Sequence, residues 1–284
     1  MNNSTGPKPK LLDGGLGTFL LKQLSGLTCT DTLNHSNPQA VIHGHTTFLA
    51  AGARYLTTNT FCCDPLSLEN SEHGIKATSQ RGAELAVAAR AAFGIPDIEI
   101  MGSLGPGWLS PEKGEISLKS LIETYALRAE GLSTGGVDAF LIETVQDLQQ
   151  AEAACLGIEK ALGNDLRTPI FITASVSQYG TRIGHHGLKT ALDALQNLAP
   201  AGLGFNCGEG PEGLENALST LSGFQGALLL KPNAGTPENR WTPDAFARAL
   251  SAYWRTPGLP RITHWGGCCG ATPAHLEALH TLPV

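Results

Sequence analysis

Two adjacent cysteines near the end of the chain carry the strongest chemical signal, in the stretch Arg261-Ile-Thr-His-Trp-Gly-Gly-Cys-Cys-Gly270. Neighbouring cysteines are poor disulfide partners, because the bond needs separated backbones and a particular dihedral angle. Both thiolates can face one soft metal, however, if flanking glycines let the backbone bend sharply enough to aim them together. Zinc then requires at least one more protein ligand. Cys207 offers one in a comparable setting, Gly204-Phe-Asn-Cys-Gly-Glu-Gly210. Three thiolates leave the fourth position open to exchange, which is the pattern of a catalytic zinc rather than a closed structural one. The plainer alternative is that all three are small buried hydrophobes, as free cysteine often is.

A second group of residues suits a small polar ligand. Asp13 precedes Gly14 and Gly15, and two glycines permit close backbone approach, with amide N–H groups able to hold a carboxylate. Glu143 directly follows the apolar run Ala139-Phe-Leu-Ile142. A carboxylate buried that deeply calls for a cationic partner, which a ligand ammonium or an arginine would supply. Together Asp13 and Glu143 suggest an amino-acid-like substrate beside the metal. Other candidates carry less. Cys62-Cys63 lacks flanking glycines. His185-His186 sits in a glycine-rich loop and suits a surface or substrate-loop role. His43 and His45 are two apart on a helix and face different directions. His264 is either core or support for the cysteines, and Trp265 is expected to wall the pocket.

The elements that must position these residues are legible as an alternation. Eight short apolar runs occur at residues 10–12, 55–57, 98–101, 139–142, 170–173, 203–205, 227–230 and 261–263. Helical patterns separate them. Asn37-Pro38, Thr242-Pro243 and Thr272-Pro273 each place a good N-cap before proline at the first helical position. Asp147 with Gln150 resembles a capping box, and Gly52, Gly94 and Gly163 sit where helices should stop. Eight strand–helix units predict a single α/β domain over residues 1–284, a (β/α)8 TIM barrel. An open doubly wound sheet competes, but no Gly-x-Gly-x-x-Gly turn follows an early strand. Barrel chemistry comes from the C-terminal strand ends. Those positions are Asp13, Asn59, Ser103, Glu143, Cys207, Asn233 and Cys268-Cys269, so both cysteine sites share one mouth.

Composition narrows the field. A formal charge of −6 without a basic stripe argues against nucleic acid. No apolar run approaches membrane-spanning length, and the polar, proline-rich residues 1–10 lack the apolar core of a signal peptide. Seven cysteines, an odd number and partly clustered, do not form a secreted disulfide framework. A reducing cytoplasm is expected.

Seven motifs in order carry a resemblance. They are Leu11-Leu-Asp-Gly-Gly-Leu-Gly-Thr18, Thr58-Asn-Thr-Phe61, Gly102-Ser-Leu-Gly-Pro106, Leu141-Ile-Glu-Thr144, Phe205-Asn-Cys-Gly208, Pro232-Asn-Ala-Gly235 and Gly266-Gly-Cys-Cys-Gly270. With them the chain resembles the homocysteine S-methyltransferase family over essentially its whole length, and within it the homocysteine-binding module of cobalamin-dependent methionine synthase. The resemblance implies a zinc barrel with Cys207, Cys268 and Cys269 as ligands, and Asn233 at a position that can complete the zinc shell. It implies that Asp13 and Glu143 hold the amino-acid end of homocysteine, with Gly14, Gly15, Ser103 and Asn206 beside them. Zinc would strip the homocysteine thiol of its proton, so the implied reaction is methyl transfer to that sulfur, giving methionine. The donor side departs from the pattern, since no Asp-x-His-x-x-Gly cobalamin-anchoring motif occurs in these residues. The donor is then a free small molecule, S-methylmethionine or a betaine, or a separate methyl-corrinoid protein. The alternative is a substrate-binding subunit that is inactive until a corrinoid partner docks.

Overall fold

Short apolar runs become parallel strands when helices can cover them, and that is the arrangement of this chain. The computed structural model describes residues 7–24, 29–107, 109–163, 167–177, 180–235 and 240–283. The first six residues of the polar N-terminal stretch lie outside these. The strands are β1 (Lys10–Leu11), β2 (Tyr55–Thr57), β3 (Glu99–Leu104), β4 (Ala139–Val145) and β5 (Ile170–Ala174). A small antiparallel hairpin of β6 (Arg182–Ile183) and β7 (His186–Gly187) follows, then β8 (Gly202–Cys207), β9 (Ala227–Pro232) and β10 (His264–Trp265). Eight of them form one parallel sheet in the order β1-β10-β9-β8-β5-β4-β3-β2. A parallel bridge between Leu12 and Tyr55 joins its two edges. The sheet is thereby closed into a (β/α)8 barrel, as the alternation predicts.

Helices follow the strands in turn. The first unit carries α1 (Leu16–Gln23), α2 (Leu33–Ser36) and α3 (Pro38–Ala50). The next three carry α4 (Ile75–Phe93), α5 (Leu118–Gly135) and α6 (Leu148–Leu162), and the last four α7 (Leu188–Asn197), α8 (Leu214–Thr220), α9 (Pro243–Arg255) and α10 (Pro273–Thr281). All three N-cap–proline pairs start helices. Asn37 accepts from the Ala40 N–H, Thr242 accepts from the Ala245 N–H, and Thr272 forms a reciprocal capping box with His275. Asp147 caps α6 through the Gln150 N–H at 3.2 Å, while the Gln150 amide turns away to the Leu109 carbonyl, so that box is half formed. The eighth strand begins three residues later than expected. Thr263 bonds to Leu228 of β9 through its N–H and hydroxyl and accepts the Lys10 N–H on its carbonyl, but residue pairing with both flanks starts at His264.

Leu12, Tyr55, Met101, Leu141, Phe171 and Leu229 fill the barrel interior. Side chains on a strand repeat a face every second residue. Two steps further along the same strands therefore place Gly14, Thr57, Ser103, Glu143, Thr173 and Lys231 in the next layer, at the C-terminal mouth. Apolar plug and polar floor are thus one periodicity. Trp265 departs from expectation. It points outward to Trp254 of α9, with ring centroids 5.8 Å apart, and belongs to the layer between strands and helices.

His264 closes the lower interior, edge-on to Tyr55 at 4.9 Å with Nδ1 against the Thr263 hydroxyl. His45 of α3 is fully buried with neither ring nitrogen hydrogen-bonded. Burial depresses both to about 4. Their folded values lie below the unfolded one, so the unfolded chain takes up protons first as pH falls from about 6.5. Stability present above pH 6.5 is therefore lost toward pH 4, by up to about 3 kcal/mol per histidine. Urea midpoints measured across that range should fall steeply, and the slope should be shallower for His264→Phe. An unchanged slope in that variant would show that His264 does not contribute.

Candidate metal centre

The three cysteines meet because separate strand ends are tied to one another by backbone bonds. Cys207 closes β8, pairing with Pro232 of β9. Its φ of 61°, followed by 69° at Gly208, turns the chain sharply into the mouth. A non-glycine residue in that region costs about 1 kcal/mol or more, a strain that the surrounding bonds must offset. The Cys268 N–H donates to Pro232 O at 2.9 Å, and Ala234 N–H donates to Cys269 O at 2.9 Å. Asn233 bridges both loops. Its Oδ1 accepts from the Cys269 N–H at 2.9 Å, and its Nδ2 donates to the Gly208 carbonyl. A Cβ at Gly15 would overlap the Cys268 carbonyl, so only glycine lets β1 approach this loop.

All three thiols are unbridged, and their sulfurs lie within 4.8 Å of one another. Hydrogen bonds from the Cys268 and Cys269 thiols hold Cys207 well below the ordinary thiol range, while donating those same bonds, with burial, pushes Cys268 and Cys269 up. The donor set is soft, clustered and reachable from solvent at Cys269. It fits zinc.

Beside it opens a pocket of about 230 Å³ with Gly14, Gly15, Ser103, Glu143 and Lys231 in its wall. Glu143 accepts from the Ser103 hydroxyl at 2.5 Å and from Asn206 Nδ2 at 3.3 Å. Asn206 is itself held by Thr144, whose N–H donates to its Oδ1 at 2.8 Å, and it lies 3.9 Å from the Cys268 sulfur. Burial raises Glu143 to about 7, against the opposing pull of Lys231. Asp13 lies below the wall and is fully buried. One of its oxygens accepts from the Thr57 N–H and hydroxyl at 2.6 and 2.8 Å, the other from Lys231 Nζ at 2.9 Å. Sequence reasoning passed over Lys231 and Thr57. The available signal was the period of two, since Lys231 follows the interior residue Leu229 by two positions and Thr57 follows Tyr55 likewise.

The weaker candidates separate clearly. Asn59 lines the pocket, but its amide donates to Thr30 O and to Asn34 Oδ1. Cys62 reaches the pocket wall, and Cys63 is fully buried. His185 and His186 both face Glu112, at 3.1 and 2.9 Å, where the β6–β7 hairpin meets the loop after β3. His43 is exposed and His45 buried, on different faces of α3.

Zinc peptides bind with roughly 10–16 kcal/mol shared over their ligands, so each thiol contributes about 3 kcal/mol. Cys207→Ala, Cys268→Ala and Cys269→Ala should each weaken zinc about a hundredfold in chelator competition. Their circular dichroism should be unchanged, because the site lies outside the packed layers. Cys62→Ser and Cys63→Ser should keep wild-type affinity. Any of the first three that also kept it would be no ligand.

Comparison with known proteins places this arrangement. The chain is 34% identical over 285 residues to the methionine synthase of Mycobacterium tuberculosis, covering 93% of this chain and 24% of that protein. It is equally 34% identical to that of Mycobacterium leprae, of which it covers 23%. The chain thus spans about a quarter of the length of these relatives. Among solved structures, the metallated homocysteine methyltransferase MmuM from Escherichia coli superimposes with a TM-score of 0.77 over 97% of this chain and 96% of its own, at 22% identity. That likeness is one of fold. The family model described as homocysteine S-methyltransferase matches residues 10–282, nearly the whole barrel with all three cysteines, and the chain belongs to the homocysteine S-methyltransferase family of enzymes.

Proposed function

We propose that these residues form a homocysteine-binding domain that transfers a methyl group to the homocysteine thiol, giving methionine, with zinc held by Cys207, Cys268 and Cys269. The observation that carries the reading is the convergence of three unbridged thiols beside a pocket whose wall includes the buried carboxylate Glu143. Zinc bound there supplies the acceptor sulfur as a thiolate at neutral pH, where a free thiol is mostly protonated.

The protein's own residues do the positioning. Glu143, oriented by Ser103 and Asn206, takes the substrate ammonium. Asn233 sets the spacing of the two cysteine loops, and its Oδ1 keeps a second lone pair that can face the metal. The sulfur attacks the methyl carbon in line, the bond from that carbon to the donor breaks, and its electron pair leaves with the donor. Holding two reactants in this alignment can account for much of the rate, and no side-chain base is needed.

The donor lies outside these residues: a sulfonium or betaine, or a methyl-corrinoid protein. A second reading is a substrate-presenting unit that acts only with a corrinoid partner. Among the described residues no helix is long and apolar enough to cross a membrane, and reduced thiols suit a cytoplasmic setting. Purified, zinc-loaded protein should be assayed with homocysteine against S-methylmethionine, glycine betaine and a methyl-corrinoid protein in parallel. Methionine from a small donor supports the self-sufficient enzyme, and methionine from the corrinoid alone supports the second reading. No methionine from any of them, with zinc bound, would contradict both.

A further inference from the structure

Lys231 is a charged pocket residue to which the proposed function gives no role. It sits on β9, 2% exposed, paired in register with Asn206 of β8, and lines the cavity. Its ammonium has three protons to donate. Among the described residues its only hydrogen-bond acceptor is Asp13 Oδ1 at 2.9 Å. The other oxygen of Asp13 takes the Thr57 N–H and hydroxyl, and the residue is fully buried below the pocket wall. Two donors of a buried cation are therefore left without an acceptor at a cavity wall.

The other charge in that wall is Glu143. Among the described residues it is hydrogen-bonded only by neutral groups, Ser103 and Asn206. Lys231 is hydrogen-bonded to Asp13 and not to Glu143, and burial raises the Glu143 carboxyl to about 7, so that a ligand cation beside it would hold it ionised. The pocket thus offers one cation seeking an acceptor and one anion seeking a cation. That is the complement of a zwitterion. The glycine amides add little, because the Gly15 N–H already donates to Ala271 O at 3.1 Å.

We infer that Lys231 is a specificity residue that pairs with the carboxylate of the acceptor's amino-acid end, while Glu143 takes the ammonium, and that Asp13 orients Lys231. The inference rests on the thiol acceptor proposed above and assigns its two charged ends to different residues. A ligand carrying only a carboxylate would leave Glu143 unpaired, and one carrying only an ammonium would leave Lys231 unmatched.

Calorimetry on the zinc-loaded protein with three thiols tests it: homocysteine, its deaminated analogue mercaptobutanoate and its decarboxylated analogue aminopropanethiol. Lys231→Met alone strands the Asp13 charge and can unfold the protein, so Lys231→Met/Asp13→Asn is measured beside it. A charge-assisted hydrogen bond removed by the change should weaken homocysteine and mercaptobutanoate about tenfold to a hundredfold. Aminopropanethiol should change less than about threefold and zinc content not at all. Glu143→Gln should give the reverse pattern, weakening homocysteine and aminopropanethiol and sparing mercaptobutanoate. Equal losses for all three thiols in the double variant, or a loss confined to aminopropanethiol, would overturn the role of Lys231. If the wild-type protein bound none of the thiols, the thiol-acceptor reading itself would fall, and this inference with it.

Discussion

The ion pair between Lys231 and Asp13 joins residues 218 positions apart in sequence and both almost wholly buried. Two charges withdrawn from water are costly unless each is matched and its remaining hydrogen-bonding capacity is filled. Asp13 meets that condition with three donors. Two of them belong to Thr57, so the carboxylate also ties β1 to β2. That seam is where the barrel closes, and its ladder is thin: one bridge at Leu12 and Tyr55, with Arg54 and Asp13 donating N–H groups across it. The pair therefore fixes the pocket floor and helps close the barrel with the same atoms. Breaking such a pair on one side typically costs about 3–5 kcal/mol.

On that floor the cysteine cluster is assembled from amide chemistry. Asn233 spans the Gly208 and Cys269 loops, and Asn206 spans Thr144 and Glu143. Both carboxamides can donate and accept at once, which suits them to hold neighbouring strand ends at a set separation. The left-handed backbones at Thr144 and Cys207 belong to the same device. Thr144 lies in the bulge near the end of β4 and Cys207 at the end of β8, and each is pinned by one of these amides or by the neighbouring strand. The cysteine cluster and the Glu143 carboxylate are thereby coupled through Asn206, which reaches toward both Glu143 and Cys268.

Much of this was legible in the sequence, for definite physical reasons. Strand–helix alternation and proline-marked helix starts are local signals, and they gave the barrel and its order. Cysteines with flanking glycines stand out because few backbones need such turns. The losses came where the controlling partner is remote or the element short. A lone lysine closing Ala227-Leu-Leu-Leu230 resembles a strand end surfacing into water, and nothing nearby reveals that Asp13 awaits it inside. Asp13 is read from the sequence as a residue for the ligand, and in the structure its carboxylate accepts from Thr57 and Lys231. Trp265 lies on a two-residue strand, too short for alternation to say which face it takes, and it packs on Trp254 rather than the pocket.

The central claim is that the three cysteines form an open metal site that takes the acceptor's sulfur directly. X-ray absorption at the zinc edge tests this most directly, by counting sulfur neighbours in the reduced, zinc-loaded protein with and without saturating homocysteine. Three sulfurs and one lighter neighbour are expected without the thiol, matching the cluster of Cys207, Cys268 and Cys269, and four sulfurs with it. A count that stays at three when homocysteine is bound would contradict the account.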